Sequence, residues 1–108
     1  MRRRVAITGL GILSPVGLNL QESWHNLLAG RSGIDRVTRF DPEGYPSQIA
    51  GEVKGFEPDA VFPKREQKKV DLFIQYAVAA ALEAVTDSGL TIEGELAERA
   101  GVCVGAIA

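Results

Sequence analysis

The segment from Val70 to Val85 constrains this chain more than any other. Val70, Phe73, Ile74, Ala77, Val78, Ala81, Leu82 and Val85 recur at i, i+3, i+4 and i+7, the spacing of one helix face. Ala77, Ala79, Ala80, Ala81 and Ala84 keep that helix thin, so another element can approach it closely. A helix so apolar belongs between layers rather than on a surface. Gly89 is placed to end it. A thin, sandwiched helix asks for sheet or helix on both sides.

Two short apolar runs are the candidate strands. Arg4 to Thr8 reads as a buried strand, and Gly101 to Ala108 as a second that runs to the last residue. Strand, helix and strand in alternation indicate α/β layers. Parallel strands need cover on both faces, and two helices supply little of it. We therefore expect the chain to be the opening part of something longer.

Between these elements lie weaker signals. Asn19 and Glu22 have the spacing of a helix cap and its N3 partner. Leu20, Trp24, Leu27 and Leu28 then form one apolar face, and Gly30 closes the helix. Asp41-Pro42-Glu43-Gly44 is a turn, Ile49 to Val53 a candidate strand, and Pro58 and Pro63 frame another turn. Thr91 to Arg99 is polar.

Gly9-Leu10-Gly11 has the spacing that opens a dinucleotide fingerprint. The third glycine position holds Ser14, Pro15 follows, and the helix starts only near Asn19. No strand ending in an acidic residue lies near residue 30, where a ribose partner belongs. A hydride-transfer enzyme is therefore set aside. The two glycines read instead as a place where a strand end packs closely under other backbone.

Composition narrows the classes further. The chain has 108 residues, 45% hydrophobic and 24% charged, with a net charge of −2. That charge argues against general affinity for nucleic acid or an anionic membrane. No apolar run approaches the ~20 residues of a membrane-spanning helix. Arg2, Arg3 and Arg4 precede too short an apolar stretch for a secretory signal. A single cysteine, Cys103, permits no internal disulfide and fits a reducing cytosol, so a cytoplasmic location is expected.

The order of the motifs resembles the N-terminus of the β-ketoacyl-acyl-carrier-protein synthases, above all the elongating synthase II type. The family begins with a strand and then T-G-L-G-x-x-(S/T)-P-x-G, matched by residues Thr8 to Gly17. The likeness continues through Trp24, Leu27 to Ile34, Phe40-Asp41, Lys64 to Asp71, Phe73 to Ala77 and Asp87 to Leu90. It covers essentially the whole chain.

What the resemblance implies is specific. The fold would be thiolase-like, an α/β architecture of mixed sheets with covering helices, of which this chain supplies an N-terminal portion and no second domain. The activity would be a decarboxylative Claisen condensation that elongates fatty acyl chains. The family's nucleophilic cysteine and two histidines fall beyond these residues, so no catalytic residue is assigned, and the chain alone is expected to be inactive. No metal or cofactor is expected, because phosphopantetheine arrives on the partner, acyl carrier protein. The complete protein would be a homodimer.

Cys103 and His25 do not replace the missing machinery. Cys103, between Val102 and Val104, reads as a small buried hydrophobe rather than a nucleophile. His25 lies beside the apolar face of a surface helix.

The resemblance carries over two sites. Lys64, Arg65, Lys68 and Lys69 crowd the start of the long helix, where cations oppose the macrodipole. The residues alone allow either an ordinary solvated turn or a site for an external anion. In the family, basic groups at Arg65, Lys68 and Lys69 contact the acidic carrier protein. Ala108 falls where the family lines its acyl tunnel, often with a bulkier residue; a small residue in a tight sheet is the plainer account. Two other functions fit the residues: a polyketide ketosynthase or chain-length-factor subunit, and a non-catalytic carrier-binding module.

Overall fold

The computed structural model describes residues 2–107, which form two compact units. One spans Ile12–Glu57; the other joins the residues up to Gly11 with those from Pro58 onward.

In the first unit, a tight loop leads into helix α1, Leu20–Leu28. Ser14 and Gly17 exchange backbone hydrogen bonds of 2.9 and 3.2 Å across the loop. The Asn19 side chain accepts from the Glu22 amide at 2.8 Å, as the capping pattern requires, and Gly30 follows the helix at φ 71. Two three-residue strands, β1 (Ile34–Arg36) and β2 (Ile49–Gly51), pair antiparallel with Ile34 opposite Gly51 and Arg36 opposite Ile49. The β2 segment lies within the stretch the sequence marks as a strand. Its partner β1 carries no comparable sequence signal. The Asp41–Gly44 turn forms as read: the Tyr45 amide donates to the Pro42 carbonyl at 3.1 Å.

The face that α1 turns inward is polar. Ser23 is 1% exposed, whereas Trp24, Leu27 and Leu28 are 59%, 57% and 70% exposed. Backbone proximity explains the inversion. A Cβ on Gly17 would stand 2.6 Å from Ser23 Oγ, so only a small side chain fits at position 23. Ser23 Oγ and Ser14 Oγ are hydrogen-bonded at 2.9 Å, and Asn26 Nδ2 donates to the Val16 carbonyl at 2.5 Å.

The second unit is organised by helix α3, Leu72–Ser88, which Gly89 ends in the left-handed conformation. It is preceded by a 3-10 turn at Pro58–Ala60 and by a separate short helix, α2, Lys64–Gln67. It is followed by α4, Glu95–Arg99, inside the stretch read only as polar. The N-terminal segment crosses α3 at its alanines. A Cβ on Gly9 would overlap the Ala84 carbonyl oxygen and stand 2.6 Å from the Ser88 nitrogen. A Cβ on Gly11 would overlap the Ala80 carbonyl oxygen. Asp87 then accepts the Leu10 amide at 3.0 Å. Gly-x-Gly thus serves close backbone packing on a thin helix.

Neither expected flanking strand forms. Residues 4–8 and 101–107 carry no ladder, with Val5 91%, Ile7 81% and Val102 79% exposed. A strand exists only where a neighbour exchanges its backbone hydrogen bonds, and among the described residues nothing pairs with either run. The apolar residues have the composition of strands without the partners. No aliphatic or aromatic side chain among the described residues is fully buried.

Candidate carrier-binding site

The four basic residues do not share the long helix. Lys64 and Arg65 lie on α2, Lys68 caps its C-terminal end, and Lys69 lies in the turn before α3 begins at Leu72. The dipole cost expected from the sequence is thus eased for Lys68 and Lys69, at and just past the C-terminal end of α2, but not for Lys64 and Arg65, its first two residues. Basic groups at or just past a helix C-terminus are favourably placed. The break falls at Lys68-Lys69-Val70-Asp71: the Lys69 amide closes on the Glu66 carbonyl at 2.9 Å, and Asp71 opens the next helix from an extended conformation.

All four cations are exposed, and among the described residues none forms an ion pair. Glu66 and Asp71, close in sequence, leave them unneutralised. The result is an exposed basic segment on a short helix and the turn that follows it.

Two glutamines hold this segment, and neither is singled out by motif reasoning. Gln67 Nε2 donates to Asp59 Oδ1 at 2.7 Å and to the Phe62 carbonyl at 2.9 Å. Gln75, 7% exposed on α3, donates from Nε2 to the Gln67 carbonyl at 3.3 Å and the Val70 carbonyl at 3.2 Å. The available signal is a lone carboxamide inside the apolar run Phe73 to Val78.

The remaining candidates fall elsewhere. Ala108 lies outside the described residues. Just before it, Val104 and Ala106 line an open apolar groove of about 330 Å³ with Phe73, Ile74, Ala77 and Val78. Cys103 is exposed, so the burial expected to make it an inert core thiol is absent. His25 lines a shallow polar depression with Asn19, Gln21 and Glu22. Among the described residues no cluster of His, Cys, Asp and Glu is suited to a metal ion, and no helix is long and apolar enough to cross a membrane.

Carboxylates outside the basic segment are held by hydrogen bonds. Glu52 accepts the Thr38 hydroxyl at 2.7 Å and the Thr38 amide at 3.1 Å, which lowers its pKa. The Asp35 carboxyl is lowered first by the Arg36 amide at 2.7 Å, then by Lys54 at 3.4 Å.

Comparison with known proteins shows the family. Residues 2–108 match the family model described as beta-ketoacyl synthase, N-terminal domain. The chain belongs to the beta-ketoacyl synthase family. It is 47% identical over 104 residues to 3-oxoacyl-(acyl-carrier-protein) synthase 2 of Vibrio cholerae, covering 96% of this chain and 25% of that protein. The synthases 2 of Coxiella burnetii and Staphylococcus aureus strain N315 are each 46% identical, over 96% and 95% of this chain and 25% of theirs. The chain thus spans about a quarter of the length of these relatives. A solved structure titled the ishigamide ketosynthase/chain length factor superposes with a TM-score of 0.72 at 44% identity, covering 85% of this chain and 23% of that one. The α/β, thiolase-like fold expected from the sequence holds.

Proposed function

We propose that the protein elongates fatty acyl chains by decarboxylative condensation, this chain contributing a carrier-docking face rather than the reacting groups. One observation carries the reading: an unbroken family match from residue 2 to 108, with close identity to synthases named for 3-oxoacyl-carrier-protein formation. In this reaction an enzyme cysteine first takes an acyl group as a thioester. Malonyl-carrier protein then loses carbon dioxide. The carbanion left behind attacks the thioester carbonyl, a carbon–carbon bond forms, and the carbon–sulfur bond breaks to return the thiolate. Both acyl groups arrive on phosphopantetheine carried by the partner, so the enzyme needs no cofactor of its own.

Arg65, Lys68 and Lys69 receive the acidic acyl carrier protein on this reading. Ala108 lines the acyl tunnel, the working protein is a homodimer, and it resides in the cytoplasm. Exposed, unpaired cations support the first of these assignments, because electrostatic complementarity of this kind raises association rates.

The test is the whole protein, not this chain by itself, incubated with acyl-carrier and malonyl-carrier proteins. Carbon dioxide release with a 3-oxoacyl product two carbons longer is expected; neither product overturns the activity. In the doubly reversed Arg65→Glu, Lys68→Glu protein we expect kcat/KM for carrier-borne acyl groups to fall at least tenfold relative to a short acyl-pantetheine, with a flatter salt dependence. Equal losses on both substrates would return the segment to an ordinary solvated turn.

A polyketide ketosynthase or chain-length-factor subunit is the second reading, favoured by the likeness to the ketosynthase/chain length factor structure. Repeated condensation without reduction between rounds distinguishes it from a single elongation.

A further inference from the structure

We propose that Gln75 is a positioning residue for the basic segment, its carboxamide fixing how α2 presents Arg65, Lys68 and Lys69. This rests on the carrier-docking reading and deepens it. Helix α2 has four residues and no side-chain cap at its Pro63 end. A single turn is below the length at which a helix sustains itself, so its shape must come from outside. The outside contacts are carboxamides. Gln67 ties the helix back to Asp59 and Phe62. Gln75, the most buried side chain of α3, reaches across from the long helix to the carbonyls of Gln67 and Val70. Those carbonyls bracket Lys68 and Lys69. One donor group therefore holds both ends of the turn that carries two of the three docking cations, while all of them stay in solvent.

Gln75 touches no substrate on this account. Its effect runs through preorganisation: a docking surface held in its bound shape loses less freedom on association. Gln75→Met keeps the length and removes both donors. Gln75→Glu removes them and sets carboxylate oxygens against two carbonyls.

The experiment uses the whole protein with acyl carrier protein and with a short acyl-pantetheine. The ratio of kcat/KM values, carrier-borne over pantetheine-borne, should fall about threefold in Gln75→Met and further in Gln75→Glu. Amide exchange at residues 66–70 should quicken in both variants, while that of 76–86 holds. A ratio that does not move in either variant overturns the inference. So does an equal loss on both substrates, which makes Gln75 a packing residue only. If Gln75→Glu fails to fold, Gln75→Met decides alone. The charge-reversed protein separates the two layers. A lowered ratio there with none in Gln75→Met removes the brace and leaves the docking site; an unchanged ratio in the charge-reversed protein removes the docking site itself.

Discussion

Two places in the molecule bring backbone against a helix through glycine, and they solve the contact differently. At α1 the helix answers Gly17 with a serine; at α3 it answers Gly11 with Ala80 and Ala84, and Gly9 with Ala84 and Ser88. Ser23 is closed off by the Ser14 hydroxyl and is the most buried side chain described. The α3 contact has no hydroxyl pair, and one exposed carboxylate, Asp87, holds the crossing segment at the Leu10 amide. Close approach thus demands a small residue, and the neighbouring backbone decides whether that residue is polar. Where the loop presents hydroxyl and carbonyl groups, as at Ser14 and Val16, serine and asparagine face inward. Where a helix flank is offered, alanine serves at Ala80 and Ala84, and Ser88 turns its hydroxyl back to the Val85 carbonyl of its own helix.

The sharpest break in this comparison is Gly11→Val. Its Cβ would overlap the carbonyl oxygen of Ala80, a backbone atom that no rotamer change can move aside. We expect about 3 kcal/mol of destabilisation, the upper end for overpacking. A thermal midpoint within a degree of the parent would mean that the N-terminal segment does not need α3.

At α1 the expected loss is smaller. Ser23→Val both overfills the space beside Gly17 and leaves the Ser14 hydroxyl short of a partner, costing about 2 kcal/mol. Ser23→Ala removes the hydroxyl alone, for about 1 kcal/mol. Equal midpoints for the two variants would show that the hydroxyl pair, rather than space, governs the contact.

These contrasts also mark what the sequence discloses. The α3 stretch is legible because period and composition agree, and its stop at Gly89 is a local signal. The cap at Asn19 and the glycines at 30 and 89 are local too, and each forms as read. The inward face of α1 is not legible by hydrophobicity, because it is fixed by backbone distance to Gly17. Strands at 4–8 and 101–107 fail for a related reason: their apolar pattern is present, but a ladder is a property of two segments. For the candidate site, the cations are plain in the sequence. Their separate helix is not, since the break near Lys69 depends on Gln67 and Gln75 satisfying carbonyls across a turn. A lone glutamine in an apolar helix is the trace such a brace leaves.

The smallest effect expected concerns the β1–β2 region, where carboxylates rather than glycines make the local contacts. Glu52 receives the hydroxyl and amide of Thr38, with Arg39 adding a weaker attraction, and its pKa is lowered. Asp35 is lowered by the Arg36 amide and Lys54. A group whose pKa falls on folding adds stability that is complete above its unfolded pKa and vanishes as pH drops through the folded value. These contacts should therefore hold at neutral pH and loosen only in acid, below the ordinary carboxylate range. Asp35 is exposed and Glu52 only half-buried, so the change should be local and global unfolding should not follow it. The Thr38 amide chemical shift should titrate with a midpoint below that of an unperturbed glutamate. In Glu52→Gln the amide oxygen still accepts from Thr38, but no proton is gained, so that titration should disappear. If it persists, Asp35 is the responsible group, and Asp35→Asn should abolish it instead.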